Sequence, residues 1–150
     1  MKLAYLVAVC LPVLGQTSPV SSVTKAPGDQ VTLDISTNSQ PGKAPVTVKW
    51  ELVFPAQLMA LDVDATETGS AALESRKTLQ CTARNPYSYS CSLSGGQKPI
   101  ANGPIAIFHF RIRTTAELGT TTLRIEKAVA TTSDSKILSL NDTQATVIIR

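Results

Sequence analysis

The run Gly103-Pro104-Ile105-Ala106-Ile107-Phe108-His109-Phe110-Arg111-Ile112-Arg113 constrains this chain more than any other stretch, because its residues change character with a period of two. Successive side chains of an extended strand point to opposite faces. Ala106, Phe108, Phe110 and Ile112 therefore share one face, and Ile107, His109, Arg111 and Arg113 share the other. The first face belongs in a core and the second does not. The same alternation recurs in Val31-Leu33-Ile35, in Val46-Val48-Trp50-Leu52-Phe54 and in Ala145-Val147-Ile149, each bounded by Gly, Pro, Asn, Ser or Thr clusters.

The turn chemistry between these runs divides the chain into short strands. Pro27-Gly28-Asp29 leads into a strand over 30–37, and Asn38-Ser39-Gln40-Pro41-Gly42 turns the chain before a strand over 46–54. Residues 56–61 fit either a helical turn or a strand start. A polar stretch over 64–75 precedes a hairpin with arms at 77–83 and 88–94, and Ser94-Gly95-Gly96-Gln97-Lys98-Pro99 leads to the strand at 104–113. Further strands are expected at 121–125, 128–132, 137–140 and 143–149. About nine strands at this spacing, with no sustained helical period, predict an all-β, antiparallel sandwich of jelly-roll topology.

At 150 residues the chain has room for one domain that folds without a metal or a partner. Residues 1–15 are expected to lie outside it. Lys2 precedes an apolar run through Leu14, and Val13-Leu14-Gly15 resembles a signal-peptidase site, with cleavage after Gly15 or Gln16. The run is too short, and too interrupted by Pro12, for the roughly 20 apolar residues of a membrane span. Acylation of Cys10 would want a smaller residue than Val9 before it. The domain is thus expected over 25–150, preceded by a polar lead-in at 16–24 that supplies an edge strand near 20–24, in a secreted protein, periplasmic or extracellular.

Removal of the leader takes Cys10 with it and leaves Cys81 and Cys91 as an even pair in an oxidising compartment. The Asn85-Pro86 turn between them places the two cysteines across a hairpin, so a structural disulfide is expected.

Catalytic readings fail for want of residues. His109 is the sole histidine, which excludes a multi-histidine metal site, and neither a nucleophile elbow nor a phosphate-binding Gly-Lys-Ser/Thr loop occurs. Asp62, Asp64, Glu67 and Glu74 are close in sequence, but neither a glycosidase pair nor a calcium loop is specified by their spacing. No enzyme, cofactor or metal is expected. Thirteen basic against eleven acidic residues after Lys2 is removed gives +2, too weak and too scattered for nucleic acid. Trp50 alternates with Val48 and Leu52 and is expected in the core; an exposed Trp50 would instead make a sugar platform. Asn141-Asp142-Thr143 fits a glycosylation acceptor and reads as an exposed turn.

With these residues in view, the chain resembles the cohesin family over residues 22–149. Pro27-Gly28-Asp29-Gln30-Val31-Thr32-Leu33 is similar to the family's Gly-Asp opening into a strand, and Gly103-Pro104-Ile105-Ala106-Ile107-Phe108-His109-Phe110 to its Gly-x-Leu-Ala-x-Ile-x-Phe strand. Gly119-Thr120-Thr121-Thr122-Leu123 and the closing run 141–149 also match. Trp50-Glu51-Leu52-Val53-Phe54-Pro55-Ala56-Gln57-Leu58 resembles the aromatic-Asp-Pro segment without its Asp, and the disulfide hairpin at 81–91 is unlike scaffold cohesins. The resemblance implies a non-enzymatic module that binds a protein partner, dockerin-like or another exported protein, through a sheet face, with a link to polysaccharide degradation. A carbohydrate-binding module with a polysaccharide ligand is the alternative. His109, Arg111 and Arg113 form the candidate partner-binding face.

Overall fold

The computed structural model describes residues 6–12 and 21–150. Its strands are β1 (Leu6–Pro12), β2 (Ser21–Lys25), β3 (Gln30–Asn38), β4 (Pro45–Val53), β5 (Met59–Leu61), β6 (Glu67–Thr68), β7 (Thr78–Asn85), β8 (Ser88–Ser94), β9 (Gly103–Ile112), β10 (Gly119–Thr132), β11 (Ile137–Ser139) and β12 (Thr143–Ile149). Three of these have only two or three residues, which leaves nine of ordinary length. A 3-10 turn at Val63–Ala65 and one short helix, α1 (Ser70–Glu74), complete the elements.

The strands form two sheets. One has the order β1-β3-β9-β5, with β6 also on β9; the other has the order β2-β12-β10-β4-β8-β7, with β11 also on β10. From β2 onward the chain crosses repeatedly between the sheets, the path expected of a jelly roll. Most pairs are antiparallel, but β1 runs parallel to β3 and β2 parallel to β12. The expected edge strand near 20–24 is β2. Residues 6–12 of the expected leader supply β1, whereas the cleavage point and residues 16–20 lie outside the described residues.

Alternation decides what each sheet buries. Val31, Leu33 and Ile35 from β3, Val48, Trp50 and Leu52 from β4, and Phe108, Phe110 and Ile112 from β9 all lie in one core with Leu123, Ile125, Ala145 and Val147. Each fully buried large side chain contributes about 1.5–3 kcal/mol, so the interior between the sheets, rather than any single cross-link, carries the fold. Ile105 breaks the pattern. It is buried on the opposite parity because the strand's start is covered by α1, where Ala71 and Ala72 are buried too. Gly69 permits this approach, since a Cβ there would lie 2.3 Å from the Pro104 backbone.

Two expected strands, at 121–125 and 128–132, prove to be one. β10 runs unbroken for 14 residues, with a register shift between Glu126 and Val129 against β4. Lys127 sits at φ 50° in this bulge, and its N–H donates to Asp142 Oδ1 at 3.3 Å. An inserted residue of this kind lets a strand continue across the break while twisting it locally. Within 56–61 both readings of the sequence have a share: Leu58 and Met59 N–H donate back to Pro55 O, and Met59 then begins β5. At the other end of α1, Lys77 is buried with its Nζ donating to Gly95 O at 2.7 Å, and burial holds its pKa below the ordinary lysine value.

Candidate functional site

The two sheets present outer faces of different construction. On the five-stranded sheet, His109 lies opposite Thr32 in the β3–β9 register. Its Nε2 is 3.0 Å from Glu67 Oε2, and its Nδ1 is 3.3 Å from Thr32 Oγ1. A carboxylate can only accept, so Nε2 carries the proton, and in the neutral ring Nδ1 accepts from the Thr32 hydroxyl. Arg111 Nη1 donates to Gly28 O at 3.1 Å, and Arg113 Nε to Ala56 O at 2.8 Å. The expected ladder therefore exists on one side of the sheet, and each of its members already holds a partner within the chain. Asp34 faces the same way one pair along, opposite Ile107, and is only 8% exposed. Burial raises its pKa above the usual carboxylate value, partly offset by the Ser36 hydroxyl at 3.3 Å.

On the seven-stranded sheet the outward residues are Thr47, Lys49, Glu51 and Val53 from β4, flanked by Ser90 and Ser92 of β8, while Ser88 at the end of the row is buried. Gln80 and Thr82 of β7 continue the rows beyond Ser92 and Ser90. On the other flank Glu126 lies directly opposite Glu51. Like charges so placed repel, and the sheet answers with cations. Arg84 and Lys127 each reach Glu51 at 3.4 Å, and Arg124 reaches Glu126 at 2.7 Å. The bulge at Lys127 is what brings that side chain to Glu51. The result is a field of small hydroxylated residues around a paired cluster in which three cations meet two carboxylates.

This face ends in a cleft of about 500 Å³ lined by Val53, Phe54, Pro55, Gln57, Tyr87, Thr122 and Arg124 among others. Tyr87 stands on the turn of the β7–β8 hairpin, which is held by Tyr87 N–H to Asn85 Oδ1 at 3.1 Å and by Phe54 N–H to Tyr87 O at 3.0 Å. Its side chain remains 54% exposed. Beneath it Phe54 is buried, stacked on Tyr89 and edge-on to Phe110. Neither Tyr87 nor Arg124 is among the site residues expected from the sequence. The available signal was an aromatic residue directly after Asn-Pro, where a turn holds a side chain out from the sheet.

Cys81 and Cys91 are direct partners in the β7–β8 register and form a disulfide. Trp50 is 1% exposed, in the core as expected, with its Nε1 lacking a partner. Among the described residues Tyr87 is the one strongly exposed aromatic, so no coplanar platform for a sugar chain is present there. The four carboxylates at 62–74 are dispersed: Asp62 precedes the 3-10 turn, Asp64 lies within it, Glu67 meets His109, and Glu74 ends α1. No group of three or more His, Cys, Asp or Glu among the described residues is placed to hold a metal ion. No helix among the described residues is long and apolar enough to cross a membrane.

Comparison with solved structures identifies the architecture. A type I cohesin from Clostridium thermocellum, solved with its dockerin, superposes with a TM-score of 0.75 over 97% of this chain and 100% of its own, at 12% identity. The sixth cohesin of Acetivibrio cellulolyticus scaffoldin B, in complex with a mutant Cel5 dockerin, gives 0.70 over 97% and 100%, at 13% identity. A non-cellulosomal cohesin from the archaeon Archaeoglobus fulgidus gives 0.67 over 97% and 92%, at 11% identity. The chain has the cohesin fold. Its sequence matches no family model and no curated protein.

Proposed function

We propose that this protein is an exported, non-enzymatic binding module that holds a dockerin-like protein partner on the outer face of its seven-stranded sheet. The observation that carries this is the continuity of that face with the Tyr87 cleft, since Val53 and Arg124 belong to both. Tyr and Arg dominate interface energetics where they are anchored beside a desolvating surface, and here both stand at the edge of a field of small side chains that does not obstruct approach. The cohesin fold supports a protein partner, because solved cohesins of this fold are in complex with dockerins. The leader-like residues 1–15 and the disulfide support export. A role in polysaccharide degradation rests on the same resemblance.

The second reading keeps His109, Arg111 and Arg113 as the contact face, favoured by the exposure of Arg111. Titration calorimetry against a panel of purified dockerin modules separates the two. Tyr87→Ala and Arg124→Ala are expected to weaken binding by about 2 kcal/mol or more each, with Arg111→Ala and Arg113→Glu unchanged. The reverse pattern would establish the ladder as the binding face. Retardation in gels containing soluble polysaccharide, with no dockerin bound, would return the module to the carbohydrate-binding class.

A further inference from the structure

The edge of β3 away from β9 is filled by β1, which runs parallel to it through seven register pairs, from Leu6 opposite Thr32 to Pro12 opposite Asn38. β1 also lies beside β2 and β12, so it bridges one open side of the sandwich. This segment falls within the residues that the sequence marks as a leader.

We propose that in the exported chain the β3 edge is a binding slot for an extended, uncharged, apolar strand of a partner protein, taken up parallel to β3. The inference rests on cleavage after Gly15 or Gln16. Cleavage leaves at most residues 16–20 ahead of β2, and five residues cannot pair with the seven positions from Thr32 to Asn38. The slot is then a row of backbone donors and acceptors beside a strand whose Val31, Leu33 and Ile35 are fully buried. Unpaired backbone groups in such a place favour any strand that can satisfy them.

The segment that occupies the slot defines what fits it. Leu6-Val7-Ala8-Val9-Cys10-Leu11-Pro12 has no charged residue, and it ends on a proline, which has no N–H with which to continue the ladder. Strand addition of this kind draws affinity from the main chain and selectivity from alternate side chains. A second copy of the mature chain is a poor donor. Its lead-in at 16–24 is polar, and its two outermost strands in the seven-stranded sheet, β2 and β7, carry Lys25 and Arg84.

The test uses protein recovered after export, its N-terminus fixed by intact mass. The probe is a synthetic peptide of residues 6–12 with Ser in place of Cys10, solubilised by terminal lysines. The control has the same side chains with alternate backbone nitrogens methylated. Expected are slowed amide exchange across residues 32–38 on adding the peptide, and binding at least about tenfold weaker for the methylated form. A cleaved N-terminus with no protection at 32–38 would overturn the slot and leave the leader reading intact. Recovery of a chain that still carries residues 6–12 would overturn both. Protection at 32–38 that rises with protein concentration alone would make a second copy the occupant and overturn the partner assignment.

Discussion

The two outer faces of this sandwich arise from the same alternation of apolar and polar residues, yet their charged groups do different work. On the five-stranded sheet His109 is tied to Glu67 and Thr32, while Arg111 and Arg113 are tied to backbone carbonyls of neighbouring loops. That face uses its charges to bind the chain to itself. On the seven-stranded sheet two ion pairs cross the face from β7 and β10 to Glu51 on β4, a third joins Arg124 to Glu126 within β10, and together they offset the repulsion between Glu51 and Glu126. Lys49 has no ion pair among the described residues, and Tyr87 is left standing in an open cleft. Strand periodicity therefore sets which residues face outward, but only their neighbours determine which are left to meet a partner.

The largest expected effect tests whether both faces depend on one core. Phe108→Ala, beneath the His109 ladder, should cost about 3–5 kcal/mol by leaving a cavity between the sheets. Chemical denaturation should show a single transition moved as a whole. A biphasic curve would mean that the sheets melt separately and that their faces are independent units.

Next comes the disulfide, which belongs to the seven-stranded sheet alone. β7 is one of its two edge strands and pairs only with β8, so replacing Cys81 and Cys91 together by Ala should cost about 2–3 kcal/mol in the chain-entropy account. Faster amide exchange should appear in β7 and β8 while β3 and β9 stay protected. Equal loosening of both sheets would break the distinction between them.

A smaller effect, of opposite sign, is expected at Asp34. Its folded pKa lies above its unfolded value, so the folded state binds the proton more tightly. The burial penalty is fully present above the folded pKa, and stability recovers as pH falls through it towards 3.8. Asp34→Asn should stabilise the protein at neutral pH and remove that segment of the pH dependence. Thermal melts of both forms from pH 3 upward check this; an unaltered pH profile would show that Asp34 is not the group responsible. The smallest change is expected at the exposed Arg111, where substitution by Ala should move stability by no more than about 0.5 kcal/mol. A larger loss in the same melts would show that its bond to Gly28 O anchors the turn before β3.

By itself the sequence determined everything that depends on near neighbours. Strand positions follow from a period of two, so β3, β4, β8, β9 and β12 fall within a residue or so of where the alternation puts them. The cysteine pair was legible because a short turn leaves the hairpin arms few ways to align. What lay beyond reach were relations across long separations. Glu67 meets His109 across 42 residues and Arg111 meets Gly28 across 83, and no local pattern records which outward charge will find an acceptor. The bulge at Lys127 read as a gap between two strands because its effect is to keep β10 in register with β4, a strand more than 70 residues earlier. The Tyr87 cleft exists only where a hairpin turn, the end of β4 and the start of β10 converge. Tertiary structure alone decided these features, since each requires segments distant in sequence to be held side by side before a side chain can be assigned to the fold or left free for a partner.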